Sequence, residues 1–186
     1  FERNRIIFCT DSEILSEKAK ELKIDSIITK KGCQSGSERI ATISELLIKR
    51  ANGINDRDNY LEEKIVKNTL IVNVQGDQPF LDPLLLKNMV DFCFSSNTIP
   101  LLTTPIYKLE RKEIHNPNVV KTLINKKNQA IYFSRSAIPH IRGVDPEDWH
   151  KHNTYYGHVG IYGYRADILL KWFDLDSSNL ENCEKL

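Results

Sequence analysis

A chain of 186 residues that is 40% hydrophobic and 27% charged can bury one sizeable core, and its scale is that of a single domain spanning 1–186. A formal net charge of +1 offers no broad attraction to a nucleic-acid backbone or an anionic membrane surface, so any phosphate recognition has to be local and pocket-like. No apolar run approaches the roughly 20 residues that cross a bilayer, and Cys9, Cys33, Cys93 and Cys183 lie too far apart for a zinc or redox pairing, which points to free thiols in a reducing cytoplasm.

The chain starts on Phe1 rather than Met, and residues 181–186 read as a helix cut in mid-course, so a fragment is expected. Residues 6–9 form a short apolar run, and Thr10-Asp11-Ser12 then signals a helix over about 13–22. A strand is expected at 26–28. Ile40, Ile43, Leu46 and Leu47 recur at helical spacing, which predicts a second helix from near Gly36 to about Arg50. Residues 51–68 are polar and without sustained periodicity, and they read as a solvated surface insertion. The run 69–74 is the most strand-like of the chain, with Leu70, Ile71, Val72 and Val74 suited to a strand buried on both faces. Pro83 opens a further helix. Strands are expected at 101–107, at 119–124 and at 130–133, the last two joined as a hairpin. Residues 143–153 are polar and irregular, 159–164 is strand-like, and 166–173 is a short amphipathic helix. Apolar runs alternating with helical stretches indicate an α/β domain with a largely parallel sheet.

Four clusters could carry chemistry. A buried strand ending in Gln75-Gly76-Asp77, with Pro79 blocking its continuation, puts a carboxylate at a strand's C-terminal end, where ligands of open α/β sheets collect. Such a residue suits Mg²⁺, which is held by one or two carboxylates together with phosphate oxygens; the plainer reading is that Asp77 caps a turn. In the second cluster Ser35 and Glu38 have capping-box spacing, while Gly36 and Arg39 offer a polar edge for a base or an anion. As one continuous strand, 155–165 would set His158, Gly160, Tyr162 and Tyr164 on a single face, leaving a gap over Gly160 for a polyhydroxylated ligand; packing of the aromatics is the alternative. Finally, an apolar run delivers Ser134 and Arg135 to its end, where Arg135 can clamp a carboxylate or remain an ordinary exposed charge.

Taken together, QSGSER at 34–39, VNVQGDQP at 72–79, NPNVVK at 116–121, YFSRSAIP at 132–139 and GHVGIYGYR at 157–165 resemble the CMP-Kdo synthetase family, the 3-deoxy-manno-octulosonate cytidylyltransferases of lipopolysaccharide synthesis. The resemblance implies a three-layer, Rossmann-like nucleotide-diphospho-sugar transferase fold with a mixed, mostly parallel sheet, incomplete at both ends. It implies transfer of CMP from CTP to the anomeric hydroxyl of Kdo with release of pyrophosphate, with CTP and Kdo as partners and a homodimer as the assembly. Through it, Ser35, Gly36, Arg39 and Gln75 line the nucleotide, Gln75, Arg135, His158 and Tyr162 meet the sugar, and Asp77 holds Mg²⁺, so that Asp77 and Arg135 are the expected catalytic pair.

Cys33, Ser37 and Gln78 depart from the family's usual His, Thr and Glu. The family's N-terminal triphosphate loop and its second metal-binding Asp have no counterpart in 1–186, so the chain alone is expected to be inactive. Two other readings fit the same residues: a cytidylyltransferase of the sialic-acid type, and a non-catalytic nucleotide-binding remnant.

Overall fold

The computed structural model describes residues 2–185. The N-terminal part alternates strand and helix: β1 (Ile7–Thr10), α1 (Glu13–Glu21), β2 (Asp25–Ile28), α2 (Gly36–Ala41), α3 (Ser44–Ala51), α4 (Glu63–Lys67), β3 (Leu70–Val74) and α5 (Pro83–Phe94). Several helices start at side-chain caps. The Ser12 hydroxyl accepts from the Leu15 N–H, and Asp82 accepts from the Leu84 N–H ahead of Pro83, whose missing donor is harmless in a first turn. Short elements follow: β4 (Leu102–Thr103), β5 (Ile106–Lys108), α6 (Arg111–Ile114), β6 (Lys121–Ile124), β7 (Ala130–Ser134), α7 (Trp149–His152), β8 (Tyr156–His158), β9 (Ile161–Arg165), α8 (Ala166–Leu170) and α9 (Asn179–Glu184).

The chain divides into two compact units. The first contains the residues up to Thr103 together with Tyr162–Leu175. In it β1 pairs in parallel with β2, from Ile7 opposite Asp25 to Thr10 opposite Ile28, and a second sheet has the order β3-β9-β4 with β4 antiparallel to β9. Ile27, Ile40, Ala41, Leu47, Tyr164 and Leu169 form its main core, and Ile48, Val66 and Ala166 a smaller one.

The second unit contains Thr104–Ile161 and the residues from Asp176 onward. Its sheet has the order β5-β8-β6-β7, and the ladders β5/β8, β6/β8 and β6/β7 are all antiparallel. Leu109, Ile114, Trp149 and Tyr155 form its core. The expected hairpin is present as β6/β7, turned at Asn128, which adopts φ 58°. Lys121 is fully buried at the start of β6, and its ammonium donates to the carbonyls of Asn116 (2.8 Å) and Val119 (2.6 Å). Those carbonyls replace the water the cation lost, although burial still lowers its pKa.

The architecture is α/β with mixed sheets, as expected, but antiparallel pairing takes a larger share than the alternation of runs implies. The reason is local: β5 to β8 follow one another through turns and short helices rather than long crossover helices.

Four segments differ in detail from the sequence pattern. The helix expected over 36–50 is broken at Thr42 and Ile43, where the Thr42 hydroxyl bonds back to the Arg39 carbonyl and that of Ser44 to Ala41. The 51–68 segment is not wholly solvated, because it contains α4 and buries Val66 beside Ile48 and Ala166. The 101–107 run splits into β4 and β5 at Pro105, which has no N–H for a ladder. The irregular 143–153 stretch includes α7, which buries Trp149 with its indole N–H on the Val144 carbonyl.

Candidate functional site

In the first unit the cap of α2 and the end of β3 come together. Ser35 is the N-cap, and its hydroxyl accepts from the Glu38 N–H at 3.0 Å. Glu38 does not close the expected box on Ser35; its carboxylate accepts instead from the Gln34 N–H at 2.6 Å, bracing the turn one residue earlier. Gly36 stands over β3, where an added Cβ would lie 3.4 Å from Asn73 Nδ2, at the close end of ordinary van der Waals contact. Arg39 turns toward β1 and β2, donating to Asp11 at 3.0 Å and to Thr29 at 2.6 Å. That bond holds the Asp11 carboxyl below the usual carboxylate range.

Beyond β3, the Gln78 N–H donates to the Gln75 carbonyl at 3.2 Å and closes the turn through its own backbone. Asp77 is exposed, and among the described residues no hydrogen bond or ion pair engages its carboxylate. A Cβ added at Gly76 would meet nothing within 4 Å, so the approach to this turn is open. Gln75 is half-buried at its base. Among the described residues no group of three or more His, Cys, Asp and Glu is gathered to cage a metal, so Asp77 offers a single carboxylate whose remaining coordination positions are left to other oxygens. That donor set fits Mg²⁺, which dehydrates reluctantly and relies on water and phosphate ligands.

Residues 155–165 are not one strand: β8 belongs to the four-stranded sheet and β9 to the three-stranded one, so His158 and Tyr162 do not share a continuous strand face. The chain bends between them, with the Ile161 N–H donating to the Val159 carbonyl at 2.7 Å. On β9 the rings of Tyr162 and Tyr164 lie 6.0 Å apart on one face, and burial pushes both phenols up in pKa. On β8 the His158 ring meets Phe133 edge-on at 5.1 Å, and burial lowers its pKa, which favours neutral imidazole at pH 7.

In the second unit Arg135 follows the end of β7, as expected. Its guanidinium donates to the main-chain carbonyls of Glu184 (3.0 Å), Pro117 (3.3 Å) and Lys185 (3.4 Å), while the Glu184 carboxylate lies near enough to feel its charge. The Glu184 carboxylate takes the Ser134 hydroxyl (2.6 Å), the Arg135 N–H (3.0 Å) and the Tyr132 hydroxyl (3.2 Å), and these donors lower its pKa. Glu184 was not nominated from the sequence, and nothing local marks a partner so far along the chain.

The nominated residues therefore form two sets. Ser35, Gly36, Arg39, Gln75, Asp77 and Tyr162 belong to the first unit, and Arg135 and His158 to the second.

The cytidylyltransferase family model matches residues 1–186. The 3-deoxy-manno-octulosonate cytidylyltransferase of Polynucleobacter necessarius subsp. necessarius is 32% identical over 97% of this chain, and the one designated 2 in Paraburkholderia phytofirmans is 34% identical over 100% of it. A solved structure of CMP:2-keto-3-deoxy-manno-octonic acid synthetase complexed with CTP is similar at a TM-score of 0.77, with 25% identity over 97% of this chain. The chain spans 64% of the length of each of these three proteins.

Proposed function

Because this chain belongs to the cytidylyltransferase family, we propose that the complete protein activates Kdo by transferring CMP from CTP to its anomeric hydroxyl. The sugar oxygen bonds to the α-phosphorus, the bond from that phosphorus to the pyrophosphate oxygen breaks, and the hydroxyl proton is lost. The reaction asks mainly for positioning and for charge neutralisation.

The observation that carries this reading is the turn after β3. Its backbone closes without help from Asp77, whose exposed carboxylate has open space beside Gly76. A carboxylate that only capped the turn would be spent on a backbone N–H, and this one is not. In this reading Asp77 holds Mg²⁺, which when bound spreads the charge of the triphosphate and of the departing pyrophosphate. Ser35, Gly36 and Arg39 border the nucleotide, and Gln75 borders nucleotide and sugar. In this reading the guanidinium of Arg135, which now rests on main-chain carbonyls, pairs with the acid group of the sugar. His158, kept neutral by burial, and Tyr162 offer hydrogen bonds to sugar hydroxyls.

A cytoplasmic enzyme acting on diffusible substrates belongs to this reading; among the described residues no helix is long and apolar enough to cross a membrane. A homodimer belongs to the same reading and is checked by sedimentation. The decisive assay is pyrophosphate release by the complete protein: it is expected only with CTP, Mg²⁺ and Kdo together. Equal turnover with sialic acid, or none with Kdo, refutes the substrate assignment.

A further inference from the structure

Three buried polar side chains from three elements meet in the first unit. Asn73 on β3 is 4% exposed, Ser37 on α2 is 7% exposed, and Tyr164 on β9 is 5% exposed. Asn73 Nδ2 donates to Ser37 Oγ at 3.2 Å, and Ser37 Oγ shares a hydrogen bond of 2.7 Å with the Tyr164 hydroxyl. Around them lie Ile27, Ile40, Ala41 and Leu47 of the main core. A buried polar group is expensive unless satisfied, so each member fixes the position of the next.

What this triad joins is informative. Ser37 is two residues beyond the Ser35 cap, and Gly36 lies over the Asn73 amide. Asn73 is two residues before Gln75, on the strand that delivers Gln75 and Asp77. Tyr164 belongs to the strand paired between β3 and β4. A slip of α2 along β3 would break both hydrogen bonds.

We propose that Ser37, Asn73 and Tyr164 are positioning residues that hold the Ser35-Gly36 turn in register with the Gln75-Gly76-Asp77 turn, and so set the affinity for the nucleotide. This rests on the reading that both turns flank CTP. None of the three touches the reacting atoms; they act through the turns they lock. The CTP affinity should therefore suffer more than the sugar affinity, because both turns border the nucleotide and only Gln75 borders the sugar as well.

The test uses the complete protein with Tyr164→Phe, Ser37→Ala and Ser37→Thr. Loss of one hydroxyl in the triad is expected to raise the KM for CTP about five- to tenfold, the scale of one buried hydrogen bond. The KM for Kdo should stay within about twofold, and Ser37→Thr, which keeps the hydroxyl, should restore most of the CTP affinity. An unchanged KM for CTP, or equal rises for both substrates, overturns the proposal. A second readout does not depend on catalysis: hydrogen exchange of Tyr164→Phe should show faster uptake in both 34–38 and 74–78, with β6 and β8 unaffected. Acceleration in neither segment, or in one alone, also overturns it. A wild-type protein that releases no pyrophosphate refutes the cytidylyltransferase reading itself, and the exchange experiment still decides whether the triad couples the two turns.

Discussion

Gly157 sits in the middle of β8, opposite Tyr107 of β5 on one side and Lys121 of β6 on the other. Replacing it with Ala would bring a methyl to 2.5 Å from Leu109 Cδ2 and 2.7 Å from Cε1 and Cζ of Tyr107, closer than real carbons approach. The two neighbours can yield to different extents. Leu109 is 7% exposed and packed with Ile114, Trp149 and Tyr155, whereas Tyr107 is 39% exposed and can swing outward at the cost of its 3.4 Å hydrogen bond to Glu113. Overpacking a well-filled core costs about 1–3 kcal/mol, and with one rigid and one mobile neighbour the middle of that range, about 2 kcal/mol, is expected. Urea unfolding followed by tryptophan fluorescence measures it, since Trp149 reports on this core. The loss should be smaller in a Tyr107→Ala background, where the ring is gone. A midpoint for Gly157→Ala equal to or above wild type would refute the argument.

Asp77→Asn should lower kcat/KM of the complete protein by about a hundredfold, the scale on which a charge-stabilising group acts, while circular dichroism stays unchanged; full activity would return Asp77 to the role of a turn residue. Burial depresses the pKa of His158, so the unfolded chain takes up its proton first as pH falls. His158 therefore contributes stability that is fully present above its unfolded pKa of about 6.5 and is lost as pH drops from there through the folded value. His158→Phe should flatten that part of the stability profile measured by urea titration, and an unchanged slope would contradict it. Burial pushes the Cys9 thiol up to about 11, and Cys93 is fully buried, whereas Cys183 is exposed. A thiol reagent at pH 8 followed by mass spectrometry should label Cys183 early, the half-buried Cys9 slowly because little of it is thiolate, and Cys93 only on unfolding; labelling of Cys9 as fast as Cys183 would contradict its raised pKa.

The turn after β3 could be read in advance because every local cue agrees there: an aliphatic run, then Gly, Asp and Pro. The β6/β7 hairpin was legible for the same reason, since residues 125–128 break two apolar runs with turn formers. The split of 155–165 was not, because strand-forming residues alternate on both sides of Gly160 and a bend leaves that pattern intact. The break at Thr42 was hidden in the same way, for Ile40, Ile43, Leu46 and Leu47 keep helical spacing through it. Partners distant along the chain, such as Asp11 for Arg39 or Glu184 for Arg135, arise only when the chain folds back. Asn73 did leave a trace: it is the single amide in a strand of Leu70, Ile71, Val72 and Val74, and such a residue needs a polar partner in the core.

The strand order β3-β9-β4 has a consequence for the nascent chain. When β3 and β4 leave the ribosome, the strand that must lie between them has not been made, and β5 through β8 have to emerge first. Until then two strands wait with unpaired edges, a state open to wrong partners and to chaperones. Translation halted before Tyr162 would release a polypeptide whose first unit lacks its middle strand.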